Sequence, residues 1–209
     1  YSHHMNKQLT FLLSLTFLFL FSGSVYGQEE VKKEYWDNGK LKSEVHYNGL
    51  GTWWYETGQK YYEVHFKNGK RDGLDTIWNK TGIKIWEISY KNGKKDGLTT
   101  TWYETGQKYY EVHFKNGKKD GLETIWYETG EKKYQVLFKN GTKEGLETSW
   151  WKNGGKEIEL NFINGKQDGL GTWWYESGEK KHQVHFNNGE MEGLETTWYK
   201  TGVKRSEKQ

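Results

Sequence analysis

Apolar and polar residues alternate along the chain in short runs of five or six. "LTTTW" places Leu98, Thr100 and Trp102 on one side of an extended segment, and "YEVHF" places Tyr110, Val112 and Phe114 on one side of the next. A period of two predicts half-buried β-strands. Between the runs, "YETG" and "KNGKKDG" supply turn residues, with glycine available for positive φ. Each unit therefore reads as two antiparallel strands and two turns. No helix-period segment follows residue 27.

Three glycine series set the length of the unit. One runs Gly58, Gly82, Gly106, Gly130, Gly154, Gly178, Gly202; the others begin at Gly69 and Gly73, and every step is 24 residues. Such a period marks a repeat array. The expected fold is all-β: an elongated, twisted antiparallel sheet or solenoid of tandem hairpins. It forms one domain over residues 28–209, with about seven repeats, the first shortened. Pairing residues symmetrically about Gly58 puts Trp54 opposite Tyr62, Thr52 opposite Val64 and Leu50 opposite Phe66. Across the longer turn Phe66 meets Leu74, Val64 meets Thr76 and Tyr62 meets Trp78. The expectation is one unbroken apolar spine containing Trp78, Trp102 and Trp126, built from cross-strand pairs. In the shortened first repeat "NG" at Asn48-Gly49 should make a pair of Tyr47 and Leu50. Ser43 near one end, and Ser206 and Lys208 at the other, replace core residues and read as caps that blunt the edges.

Composition changes the picture in one respect. Hydrophobic residues are 33% of the chain, yet 17% of it is aromatic, with 12 Trp and 15 Tyr. The apolar surface thus sits on a few large rings, which argues for a thin aromatic core over disorder. Net charge is +3, from 31 basic and 28 acidic residues spread through every repeat. No polybasic block stands out, so nucleic acid is not an expected partner. The absence of cysteine excludes disulfides, thiolate metal sites and a cysteine nucleophile.

Residues 5–27 read as a secretory signal peptide: Lys7, the apolar stretch Leu9 to Phe21, then "SGSVYG" before a cut at Gln28. Thirteen residues of helix span about 20 Å, short of roughly 30 Å of hydrocarbon. No transmembrane span is therefore expected in the mature chain, which should be exported to periplasm, envelope or medium. Residues 1–4 read as an expression-derived leader or upstream translation.

"GLETIWYETGEKKYQVLFKNGTKEG", residues 121–145, resembles the bacterial variant of the MORN repeat. The glycines, the Trp126-Tyr127 pair and the turn from Asn92 to Gly97 carry the likeness, which covers nearly all of residues 33–205. Thr or Ser usually stands where that family has Asn before the first glycine. The resemblance implies a hairpin array acting as scaffold, protein-interaction surface or membrane contact. Choline- and glucan-binding wall repeats share the Gly, Trp and paired Tyr but differ in period and in their "GW" openings.

Candidate chemistry is sparse. Asp72, Asp96, Asp120, Glu144, Asp168 and Glu192 precede the third glycine series; one carboxylate per turn, about 10 Å apart, cannot gather a calcium shell, and the expected role is turn stabilisation. His46, His65, His113 and His185 share one position, too far apart to hold zinc. A catalytic site needs one unequal place with convergent groups, and repetition argues against that. No catalytic residue, metal or cofactor is therefore assigned. The candidate binding surface is a face of exposed rings: Trp53, Tyr55, Tyr61, Tyr103, Tyr109, Tyr127, Trp151, Trp173, Tyr175 and Tyr199. Large exposed rings are costly unless covered or used. The expected partner is an unidentified protein or an extended glycan, with a homo-oligomer as the other way to cover them.

Overall fold

The computed structural model describes residues 31–209, so the expected signal peptide and the preceding four residues lie outside the described part. Among the described residues nineteen strands form a single sheet. Pairing is antiparallel throughout, from Val31–Tyr35 at one edge to Lys204–Lys208 at the other; the two-residue strands Lys70–Arg71, Lys118–Lys119 and Lys166–Gln167 pair only with the strand before them, which also pairs with the strand that follows. This is the all-β hairpin array expected from the period.

Two kinds of turn alternate. At "KNGK", Asn68 and Gly69 both have positive φ, 51° and 68°. That is the requirement of a two-residue type I′ hairpin, and Lys67 pairs directly with Lys70. The same Asn recurs with positive φ at 92, 116, 140, 164 and 188. At "YETGQ" the amide of Tyr55 donates to the Gln59 carbonyl at 2.8 Å, and that of Gly58 to the Tyr55 carbonyl at 2.8 Å.

The register differs from the symmetric expectation by one residue. Tyr62 faces Trp53, Val64 faces Gly51 and Phe66 faces Gly49. The hairpin centre lies before Gly58, and Trp54 then pairs with Lys60, leaving Tyr61 as an extra residue. The long connection is no symmetric seven-residue turn either. Its Asn-Gly closes the hairpin, Arg71 continues the strand opposite Phe66, and a bulge at Asp72-Gly73 resets the register so that Tyr62 meets Ile77. In the shortened repeat Val45 faces Gly51, not Tyr47 facing Leu50. Because side chains alternate, a one-residue slip moves a whole set to the other face. The expected single spine is thus two half-spines on opposite sides.

One face carries Tyr62, Val64 and Phe66 and their repeats. Val64, Val112 and Val136 are completely buried and Val184 is 1% exposed. Opposite these valines stand Gly51, Thr99 and Glu123. The other face carries the threonines, of which Thr52, Thr76, Thr100 and Thr124 are buried, opposite Glu63, Glu87, Glu111 and Gln135. The tryptophans that end each strand do share one side, this one. Lys60 lies 5.9 Å from the Trp78 ring, Lys84 5.5 Å from Trp102 and Lys108 5.7 Å from Trp126. Those lysines also pair with Glu63, Glu87 and Glu111. Ser206 does stand in the last strand, its hydroxyl 2.6 Å from that of Thr197; Ser43 does not cap an edge, because it lies in the second strand, Leu41–His46, buried between Glu34 of the edge strand and Trp53.

Candidate functional site

The ten expected ring residues fall into two places. Trp53 and Trp173 stand on the valine face: Trp53 stacks on Tyr62 at 5.0 Å, and Trp173 lies 4.8 Å from His182 and 6.4 Å from Phe186. The other eight gather along the edge formed by the "YETG" turns. Tyr55, Tyr103, Tyr127 and Tyr175 each donate a hydroxyl hydrogen bond to a carbonyl of the next repeat: Trp78 at 3.0 Å, Trp126 at 2.8 Å, Trp150 at 2.7 Å and Trp198 at 2.9 Å. Tyr61 and Tyr109, the extra residues of the strand shift, lean on Tyr55 and Tyr103 at 5.0 Å. Trp151 continues the column, and its indole Nε1 is buried without a partner. Tyr199 closes it with 52% of its surface exposed; the other nine rings are half-buried. Burial pushes the phenols of Tyr55, Tyr61, Tyr103 and Tyr127 above their ordinary range.

Cations flank the rings at the C-terminal half of this edge. Lys133 and Lys152 lie 5.5 and 5.9 Å from Tyr127, and Lys181 and Lys200 lie 5.8 and 5.9 Å from Tyr175. The edge thus offers flat apolar contact beside positive charge.

The acidic series before the third glycine does stabilise turns, though not its own. Asp72 accepts from the Asn92 amide at 2.9 Å, Asp96 from Asn116 at 2.9 Å and Asp120 from Asn140 at 3.0 Å, so each carboxylate caps the next repeat. His65, His113 and His185 face Leu50, Leu98 and Leu170 across the strand pairs. Among the described residues no three His, Asp or Glu side chains converge to hold a metal.

Two arrangements escaped the sequence reading because both depend on register. The first is a column of outward leucines, including Leu122 at 49%, Leu146 at 54% and Leu194 at 50% exposed, where symmetric pairing predicts core positions. The second is a run of acids on the valine face, of which Asp75 and Glu123 are buried and Glu147 is half-buried. Asp75 accepts from the Tyr62 hydroxyl at 2.9 Å and lies 3.4 Å from Arg71. Glu123 pairs with Lys119 at 2.7 Å, and Glu147 accepts from Tyr134 at 2.8 Å and pairs with Lys143. Burial raises Asp75 to about 6, against the pull of Arg71. The basic residue four places before each acid was the legible signal.

These features define a class: an open sheet of tandem hairpins that shows the same side chains again and again along its length. The MORN repeat variant family matches residues 31–48, 47–68, 95–116, 119–140 and 167–188, and the chain belongs to it. Repeats of this family are generally non-catalytic modules for protein or membrane interaction. No curated protein matches the chain. Among solved structures, a chain of the "Crystal Structure of TcdB2-TccC3-Cdc42" is similar over 84% of this chain and 12% of its own, at 12% identity and a TM-score of 0.22.

Proposed function

We propose that this chain is an exported, non-catalytic scaffold that binds a protein partner along its aromatic edge. The observation that carries the reading is the hydroxyl ladder. Tyr55, Tyr103, Tyr127 and Tyr175 are each tied to the following repeat, with Asn79 and Trp151 at the two intervening positions, so these four rings stand with their rotamers already restricted. Rings ordered before binding give contact area at little further entropy. The flanking lysines favour a partner with carboxylates between apolar groups.

The test compares capture from an envelope protein extract with capture by purified wall polysaccharide. Tyr109→Ser and Tyr199→Ser remove ring surface without cutting the ladder. Loss of one defined crosslinked protein in these variants supports the reading. Retention by wall polysaccharide that depends on the same rings would replace it with a glycan-binding function. Cell fractionation of the full chain tests export, and finding the protein only in the cytoplasm would refute that part.

A further inference from the structure

The opposite long edge is formed by the Asn-Gly hairpins, and folding turns a scattered charge pattern into a line. The segments 67–72, 91–96 and 115–120 each carry three cations and one acid; 139–144 carries two and one, 163–168 one and one, and 187–192 none and two. Neighbouring tips are two strands apart, about 10 Å. The edge is therefore basic over its first half and acidic at its far end.

The cations at the tips are not neutralised locally. Lys67 pairs across its hairpin with Lys70, Lys91 with Lys94, and Lys115 with Lys118. All six are exposed, and among the described residues none has a carboxylate within ion-pair distance. Like charges directly opposite one another destabilise a sheet, yet the arrangement recurs three times. By contrast, Lys60, Lys84 and Lys108 on the sheet face all have glutamate partners. The tip acids Asp72 and Asp96 accept from the backbone amides of Asn92 and Asn116 and make no ion pair with these lysines, so each of the three segments keeps a net positive charge. Between the second and third tips lies an open cleft of about 460 Å³ lined by Lys91, Asn92, Lys94, Asp96, Lys115 and Asn116. Just behind it, burial lowers the Lys95 ammonium, with Arg71 and Lys119 adding repulsion.

We infer that this basic edge is a second binding site, for a linear polysaccharide bearing anionic groups along its length. A single file of tips on a twisting sheet matches a flexible line charge better than a flat bilayer. The second and third tips, 91–96 and 115–120, carry Lys, Asn, Gly and Asp and no aromatic residue on which a base could stack, which disfavours single-stranded nucleic acid. Lysine heads are rotatable point charges, suited to sulfates or carboxylates at variable positions. The site is independent of the aromatic edge on the other side of the sheet.

The experiment titrates the full chain with heparin oligosaccharides. Binding is expected at low salt and should weaken roughly fiftyfold between about 50 and 200 mM salt if four lysines neutralise four anionic groups. Exchanging Lys91, Lys94, Lys115 and Lys118 together for Gln should weaken binding at least about tenfold at low salt. Exchanging Lys80, Lys152, Lys181 and Lys200, on the other edge, should change it less than about twofold, and Tyr109→Ser should leave it intact. Adding charge to the acidic tip with Asn187→Lys and Glu190→Lys should tighten binding, which keeps the test decisive even if the quadruple variant folds poorly. No binding at low salt, or equal losses in the two quadruple variants, overturns the inference. So does tighter binding to single-stranded DNA, or to anionic vesicles, than to heparin.

Discussion

Replacing Asp75 with asparagine probes the energetics of the valine face. Asp75 is 3% exposed and faces Ile88 across the strand pair; its Oδ2 accepts from Tyr62, while Oδ1 has no partner. Burial lifts its pKa from 3.8 to about 6, the Arg71 guanidinium offsetting only part of the effect. The native state therefore holds the proton more tightly than the unfolded chain. The contribution of Asp75 to stability is most favourable below about pH 4, falls between pH 4 and 6, and its full penalty persists above pH 6. Moving an acid over that interval corresponds to about 3 kcal/mol. Asn keeps the shape and an oxygen for Tyr62 but removes the charge. Arg71 loses its carboxylate yet retains the Tyr90 hydroxyl at 3.1 Å, and its side chain is 42% exposed, so water takes over most of the lost contact. The net expectation is that Asp75→Asn is about 2 kcal/mol more stable than the parent at neutral pH and no more stable near pH 4. Urea unfolding followed by tryptophan fluorescence at several pH values measures this. A variant less stable at neutral pH, or a difference that does not change with pH, would refute the argument by showing that the Arg71–Asp75 attraction outweighs desolvation.

Three further outcomes test register and turn geometry. Val112→Ala, at a fully buried site, should cost about 2 kcal/mol, whereas Leu122→Ala, at 49% exposure, should cost less than about 0.5; equal losses in urea melts would contradict the observed facing of the strands. Tyr103→Phe removes the hydrogen bond to the Trp126 carbonyl and should lower stability by about 1 kcal/mol, with a matching rise in amide exchange at the Tyr127 turn. Gly73→Ala meets a φ of 129° and places Cβ 2.8 Å from that of His65, so it should cost about 3 kcal/mol; Gly58→Ala, at φ 97° with nothing within 4 Å, should cost about 1, and thermal melts giving the reverse order would defeat the bulge assignment.

The sequence by itself determined the elements and their repetition. Period-two alternation specified strands, the glycine series specified a 24-residue hairpin unit, and Ser206 marked the last strand. These are local properties: pleating and turn chemistry act over a few residues and leave their trace in adjacent letters. Only the tertiary structure decided which residues face one another. An Asn-Gly pair took both hairpin positions within "KNGKRDG", and the bulge at Asp72-Gly73 and the strand shift at Trp53/Trp54 absorbed the remainder. Because a slip of one residue exchanges the two faces of a sheet, this choice moved Leu122 outward, set the Trp126 column opposite Val112, and buried Asp75 and Glu123. It also lined up lysines that lie 24 residues apart in the chain, a charge pattern that linear composition dilutes and stacking concentrates.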